Sequence, residues 1–490
     1  MKLYAMPEPK FQDLSETEYV YLYDYHIEAP DAWKTVADYM TERAKLHGTK
    51  PLRVIQDDMY GKEAYRMQIA NDAITVQTGG EAGVRYAVYM LMQIAYRSKI
   101  PVGVIADHPD MEMRGYLLNL RGPLRQTPVD VLCHYLRLCG QSKINTVLIE
   151  YDTRFDHGIY QPYEPWMLTK ADMQKLQATA DAEGITIIPL IQTYGHLEFL
   201  LSQPSLAHIR EEQHLPDQLC PLNPDSLAFA KALIDMYVDA HPGIKYLHIG
   251  GDEARQLGKC PKCAEYVAKH GKGGLYTYYV NQLIDYVCSK GITPLMYDDR
   301  ICRYYGSMKD LDRRVVLVYW DYWTTSDPSP LLVARGGSDL AIVRDKASWD
   351  DRNFEGLSDM QRELFKFFGI PLDLENGGLT PGYLEEFRPY LGDQFPKYVK
   401  AFPYIEYYQD QGFKVISMPT SLGNSDNYLG APNEARFTAN IRTFAERTIA
   451  AGADGMITSA WFRFPESAYP MGIALGGQYS WGMPDYQEGK

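Results

Sequence analysis

A chain of 490 residues exceeds one ordinary domain, and two or three is the bound once a barrel of about 250 residues is admitted as a single unit. A formal net charge of −14 leaves no basic field to neutralise phosphates or anionic lipid, so neither nucleic acid nor a membrane surface is expected as a partner. Hydrophobic residues at 46% and charged residues at 23% describe a globular chain and exclude a fibrous or mainly disordered one.

The opening segment MKLYAMPEPKFQDL has no apolar stretch of signal-peptide length, and no run reaches the roughly 18 apolar residues of a membrane span. A soluble, cytoplasmic protein is the expectation. Residues 1–106 mix short alternating strands with helices. Tyr65-Arg66-Met67-Gln68-Ile69 and Ala73-Ile74-Thr75-Val76-Gln77 alternate at period two about Asn71-Asp72, which suits a hairpin. After Gly79-Gly80, Val84 to Ile94 carries apolar residues at helical spacing. Together these predict a small α+β domain ending at Ala106-Asp107-His108-Pro109.

From residue 107 to 490 the texture changes to short apolar runs separated by long helical stretches. The runs are Met113–Leu120, Thr146–Tyr151, Ile185–Gln192, Tyr246–Gly250, Thr293–Tyr297, Val315–Tyr319, Lys414–Met418 and Gly455–Trp461. Near-continuous apolar strands alternating with helices mean a parallel sheet covered on both faces, and this number fits a closed (β/α)8 TIM barrel. An open doubly wound sheet competes, but no Gly-rich phosphate turn follows any of the runs. The spacing fails once, and residues 325–410 are expected to form an insertion on the barrel, at its mouth.

Barrel strands converge at their C-terminal ends, so chemistry-bearing residues there carry weight. The first run carries Arg114 and ends near Asn119 and Arg121. The second ends in Glu150-Tyr151-Asp152 and the third in Gln192-Thr193-Tyr194-Gly195-His196. His248-Ile249-Gly250-Gly251-Asp252-Glu253, Tyr297-Asp298-Asp299 and Tyr319-Trp320-Asp321-Tyr322 close the next three, and Trp461 closes the last with Arg463 two residues on. Carboxylates, a histidine, arginines and aromatic platforms around one cavity suit a polyhydroxylated ring, because an aromatic face can stack under a sugar while its polar tip stays paired.

The His248–Glu253 segment resembles the Gly-Asp-Glu signature of glycoside hydrolase family 20, the β-N-acetylhexosaminidases. Arg114-Gly115, Lys143 with Asn145, and Gly195-His196 are similar to neighbouring family positions. A closer likeness is to the hexosaminidase D branch, through Leu148–Asp152, Pro189–Phe199 and Trp320-Asp321-Tyr322. The resemblance implies a retaining, exo-acting enzyme on terminal β-linked GlcNAc or GalNAc of an oligosaccharide or glycoconjugate, with the substrate's 2-acetamido oxygen as nucleophile. It assigns Glu253 as acid/base and Asp252 as the partner of the acetamide. A carboxyl that donates a proton first needs a raised pKa, and the neighbouring Asp252 charge acts in that direction. Arg114 is implied to bind ring hydroxyls, and Asp152 and His196 to form a polar relay. Tyr297, Trp320, Tyr322 and Trp461 are implied to enclose the acetamido methyl, with Tyr322 and Tyr428 both candidates for its oxygen. Phe462-Arg463 departs from the acid that often follows the last tryptophan in the main branch, which leaves the grip on C4 and C6 open.

Seven scattered cysteines in a chain of this size are expected to be reduced thiols. Cys260-Pro261-Lys262-Cys263 is a C-x2-C pair that Cys220 or His270 could complete as a tetrahedral zinc site. A lone C-x2-C is a weak signal and the mechanism needs no metal, so neither metal nor cofactor is expected. A homodimer is left open. The competing readings are a sugar-binding barrel of weak or lost catalysis, a retaining β-glycosidase of other sugar specificity, and a metal-dependent barrel hydrolase. Intact Asp252 and Glu253 argue against the first, and the lack of His-x-His after the first strand against the last.

Overall fold

The computed structural model describes residues 5–121, 126–152, 154–155, 166–329, 332–334, 341–343, 381–395, 398–423, 432–461 and 468–483. The chain opens with a six-stranded sheet of β1 (Phe11–Tyr21), β2 (Tyr25–Glu28), β3 (Lys50–Gln56), β4 (Tyr65–Ile69), β5 (Ile74–Thr78) and β6 (Lys99–Asp107), in the order β1-β6-β4-β5-β3-β2. Helices α1 (Lys34–Ala44) and α2 (Glu81–Ile94) belong to the same unit. The predicted hairpin forms as read: Ile69 pairs with Ile74 and Tyr65 with Thr78, and Tyr65, Met67, Ile69, Ile74 and Val76 all fall on the buried face.

Every apolar run predicted after residue 107 is a strand of one parallel barrel. β7 (Met113–Asn119), β8 (Thr146–Glu150) and β9 (Thr186–Leu190) lie side by side, then β12 (Tyr246–His248) after a small hairpin of β10 (Arg210–Glu212) and β11 (Leu215–Leu219). β13 (Thr293–Tyr297), β14 (Val316–Trp320), β17 (Lys414–Met418) and β19 (Gly455–Ala460) follow, with the short β18 (Thr420–Leu422) paired to β19, and β19 pairs with both β17 and β7 to close the ring. Leu117, Leu148, Ile188, Leu190, Leu295, Val316, Val318, Ile416, Met418 and Ile457 fill the interior as one cluster, so the barrel is packed and cannot serve as a pore.

The covering helices start and stop where capping chemistry dictates. α4 (Lys170–Glu183), which follows α3 (Val129–Gln141), opens on a reciprocal Thr169–Asp172 capping box and ends at Gly184 in the left-handed region at φ +71°. Only part of the expected insertion falls within the described residues: the pair β15 (Leu332–Ala334) and β16 (Ala341–Val343), and the helices Pro381–Phe387 and Tyr404–Asp410. The last of these serves as a barrel helix, since Tyr404 and Tyr408 pack their rings edge-on against Tyr319 of β14. No helix among the described residues is long and apolar enough to cross a membrane.

Candidate active site

The turn after β12 delivers the acid pair. Gly250 and Gly251 take φ of +70° and +92°, and a Cβ at Gly250 would stand 2.0 Å from Gln192 Oε1. Both positions therefore require glycine, for handedness and for space. The His248 Nδ1 accepts the Gly250 N–H at 3.0 Å, and burial holds that imidazole down to about 3, so it is a neutral prop for the turn. Beyond the glycines Glu253 itself sits at φ +45°, its N–H donating to Asp299 Oδ2 at 3.1 Å. Asp152 at +51° and His196 at +55° share this sparsely populated conformation, which the surrounding structure must enforce.

His196 stands between the two acids, its Nε2 3.4 Å from Asp252 Oδ2 and 3.4 Å from Glu253 Oε2. Burial works against a charged imidazole, but the Asp252 charge and the bonds to Asp252, Glu198 and Glu253 outweigh it and hold the His196 pKa above its ordinary value. Reciprocally, burial would raise the Asp252 carboxyl, yet the His196 charge overrides it and holds Asp252 below the usual range. One oxygen of Asp252 is thus engaged. The other, Oδ1, is buried and has no hydrogen-bond partner among the described residues.

These groups open on a cavity of about 250 Å³ lined by Asn119, Arg121, Glu150, Gln192, Tyr297, Trp320, Tyr322, Trp323, Arg436 and Trp461 as well as His196 and the acid pair. Sites for drug-sized ligands run from roughly 300 Å³ upward, so the space suits one small ring. Its aromatic side is built by Trp320 stacked on Tyr322 at 5.1 Å, with Trp461 6.3 Å from Tyr322. The Trp461 Nε1 and the Tyr297 hydroxyl are buried without partners among the described residues, which leaves two donors at the wall. The polar side is a chain: Asn119 Nδ2 donates to Glu150 Oε2 at 2.7 Å, and Arg121 lies 3.6 Å from both Glu150 Oε1 and Asp152 Oδ1 while donating to the His196 carbonyl at 2.8 Å. Burial raises the pKa of Glu150 against the pull of the Arg121 charge.

Asp252, Glu253, His196, Tyr297, Trp320, Tyr322 and Trp461 thus come together as the sequence implied. Arg114 does not. It is the second residue of β7, at the N-terminal end of the barrel, fully buried, and its guanidinium donates to Glu63 Oε2 at 2.9 Å, to the Met111 carbonyl at 2.8 Å and, through Nε, to the Lys143 carbonyl at 2.9 Å. Of the two arginines on this stretch the one that lines the cavity is Arg121, past the other end of the same strand; at ~3.3 Å per residue the two are about 23 Å apart. Asp152 reaches the site through Arg121 and lines a smaller void behind Glu150. Arg463 and Tyr428 lie outside the described residues. Sequence reasoning did not single out Trp323 and Arg436, whose guanidinium stacks 5.0 Å over the Trp323 ring. A basic residue at the start of the helix after β17 was the available signal. Away from the cavity, Cys260 and Cys263 gather with Cys220 and Glu211, whereas His270 stacks on Tyr266 instead.

A closed barrel with paired acids, a charged histidine and an aromatic-walled pocket at the strand ends defines a carbohydrate-processing site. The family model for glycosyl hydrolase family 20, catalytic domain, matches residues 143–345, and that for its domain 2 matches residues 7–108. The chain belongs to glycosyl hydrolase family 20. It is 30% identical over 198 residues to hexosaminidase D of Bos taurus, a match covering 37% of this chain and 56% of that protein. Against hexosaminidase D of Homo sapiens it is 31% identical over 203 residues, covering 39% and 40% respectively. The chain thus spans about half the length of the curated relatives it matches. In fold it is similar to the β-N-acetylhexosaminidase of Bacteroides fragilis, with a TM-score of 0.64 at 17% identity over 98% of this chain and 92% of that one.

Proposed function

We propose that this chain is a retaining, exo-acting β-N-acetylhexosaminidase that removes terminal β-linked GlcNAc or GalNAc from an oligosaccharide or glycoconjugate, the substrate's own acetamide serving as nucleophile. The observation that carries this reading is the state of Asp252, a residue of the cavity wall: an ionised carboxylate with one oxygen held toward His196 and the other buried with no partner among the described residues. A buried anionic acceptor left open is costly unless a ligand N–H fills it, and an acetamide offers one. Trp461, Trp320 and Tyr322 supply the apolar wall that its methyl group needs.

On this reading Glu253 gives its proton to the glycosidic oxygen as the bond to the anomeric carbon breaks. The acetamide carbonyl oxygen attacks that carbon from the opposite face and forms an oxazolinium, whose N–H donates to Asp252 and whose positive charge the carboxylate offsets. Water then opens the ring with Glu253 as base, so the configuration is retained. Asp252 is electrostatic here, which separates this mechanism from an ordinary two-carboxylate one. Asp252→Ala is expected to lower kcat/KM by about 3–4 kcal/mol of transition-state stabilisation, and azide is expected not to restore turnover. An aryl β-glucoside, lacking the acetamide, should be almost inert beside the aryl β-GlcNAc and β-GalNAc glycosides. Azide rescue, or glucosidase activity near the hexosaminidase rate, would overturn the role of Asp252; tight sugar binding without turnover would favour the non-catalytic barrel.

A further inference from the structure

The β10–β11 hairpin packs beside the catalytic loop, outside the sugar cavity, and brings together four ligating side chains from three separate stretches of chain. Cys220 Sγ lies 3.6 Å from Cys260 Sγ and 3.6 Å from Cys263 Sγ, and a Glu211 carboxylate oxygen falls within 4.8 Å of all three sulfurs. We infer that Glu211, Cys220, Cys260 and Cys263 form a structural zinc site of Cys3Glu type.

Three observations support it. The sulfur separations suit a shared ion: zinc–sulfur arms of about 2.3 Å at the tetrahedral angle put the sulfurs ~3.8 Å apart, whereas a disulfide holds them near 2.05 Å. The carboxylate is oriented for the task, since the Lys259 and Cys260 N–H groups donate to Glu211 Oε1 at 2.7 and 2.9 Å, while Oε2 is buried with no partner among the described residues. A buried carboxylate against two buried thiols and one half-buried one is costly unless a cation balances it, and a divalent ion would neutralise it together with the thiolates. Finally, Cys263 N–H donates to Cys260 Sγ at 3.4 Å, so the Cys-x2-Cys turn that opens the following helix already directs an amide at a sulfur.

The placement gives the ion a purpose. Leu197 N–H donates to the Asp217 carbonyl at 3.1 Å, and Gln256 N–H to Gln218 Oε1 at 2.8 Å, so the hairpin bridges the loop carrying His196 and the loop carrying Asp252 and Glu253. Zinc at its base would fix both loops at one point and thereby hold His196 between the acids.

The test is metal analysis of the full chain purified from zinc-supplemented medium without chelator, where about one zinc per chain is expected. Exchange into cobalt(II) should give thiolate-to-cobalt charge-transfer bands and the strong d–d bands of a tetrahedral site, a readout that needs no substitution. Cys220→Ser and Cys263→Ser should each abolish those bands, and Glu211→Gln should speed metal loss to a chelator about tenfold or more. Wild-type protein with no zinc above background and no charge-transfer bands would overturn the assignment. So would a Cys220 disulfide to Cys260 or Cys263 found by peptide mapping, or undiminished zinc in both serine variants.

Discussion

His196 and Asp252 each hold the other's charge in place against burial, and this coupling fixes two expectations at the level of single residues. In the intact protein the Asp252 pKa is depressed, so its stabilising contribution is present above the ordinary carboxylate value and is lost as pH falls through the lower folded value. His196→Gln removes the opposing charge and leaves burial as the dominant influence, which raises the Asp252 pKa. The sign then reverses: the variant loses stability as pH rises past the ordinary carboxylate range, because ionising Asp252 now opposes folding. The acid limb of kcat/KM should move to higher pH in the same variant, and denaturant titrations at acidic and neutral pH should show the stability change. An unmoved acid limb would mean that His196 does not set the ionisation of Asp252. Glu253→Gln tests the partner carboxyl. It should cost about 10²–10⁴-fold in kcat/KM for glycosides with poor leaving groups and little for nitrophenyl ones, because only the former need a proton to break the glycosidic bond; kcat falls for both wherever opening of the oxazolinium, with Glu253 as base, limits turnover. Equal losses of kcat/KM for both would remove the acid role.

At the level of elements the acid pair depends on one turn, in which Gly250 and Gly251 carry the backbone through left-handed conformations across the barrel top. Gly250→Ala forces a Cβ to within 2.0 Å of Gln192 Oε1 at a φ of +70°, so either the turn or Gln192 must shift. Backbone strain of about 1–3 kcal/mol is expected in stability, and a loss of roughly 10²-fold in kcat/KM, the scale for displacing a catalytic group by about 1 Å. Gly291→Ala is the control: its φ is +75° but nothing lies within 4 Å of the added carbon, so stability should fall without a matching loss of activity. The barrel itself was legible in the sequence because apolar runs at strand length are local information, and each predicted run became a strand. The Gly-Asp-Glu turn was legible for the same reason. What local pattern could not assign was which arginine meets the cavity: β7 carries Arg114 near its start and Arg121 follows its end, and only the direction of the closed ring makes one face the cavity and the other the first sheet. Glu211 was invisible for a related reason, since it meets Cys220 and the Cys260-x2-Cys263 turn only through the hairpin that folds between β9 and β12.

For the molecule as a whole, Arg114 is the centre of a buried knot between the first sheet and the base of the barrel. Its guanidinium pairs with Glu63 of the β3–β4 connection, donates to the Tyr86 hydroxyl oxygen of α2 at 3.2 Å, and lies 5.0 Å over the ring of Trp481. Lys143, fully buried and paired with Asp107, lies 4.4 Å over the same ring, and the Trp481 Nε1 donates to Asp107 Oδ1 at 2.8 Å. Two buried cations, two carboxylates and an indole thus join β6, β7 and the C-terminal helix Tyr469–Trp481 at a place remote from the sugar cavity. Removing one member of such a set strands the others: Arg114→Ala leaves Glu63 without its cation and several carbonyls without their donor, a loss of about 3–5 kcal/mol for a buried pair. Glu63 is 21% exposed, so water can recover part of its solvation and the lower end of that range is expected. Thermal or denaturant unfolding of Arg114→Ala should therefore show a large drop in stability, with kcat/KM unchanged below the transition. Arg121→Ala should behave in the opposite way. It leaves the knot intact but frees Glu150 and Asp152 of their shared cation and the His196 carbonyl of a donor, so turnover should fall while the unfolding midpoint moves far less. A raised KM with unaltered stability in Arg114→Ala would restore the sugar-binding role implied by family resemblance and would contradict the buried position at the base of β7.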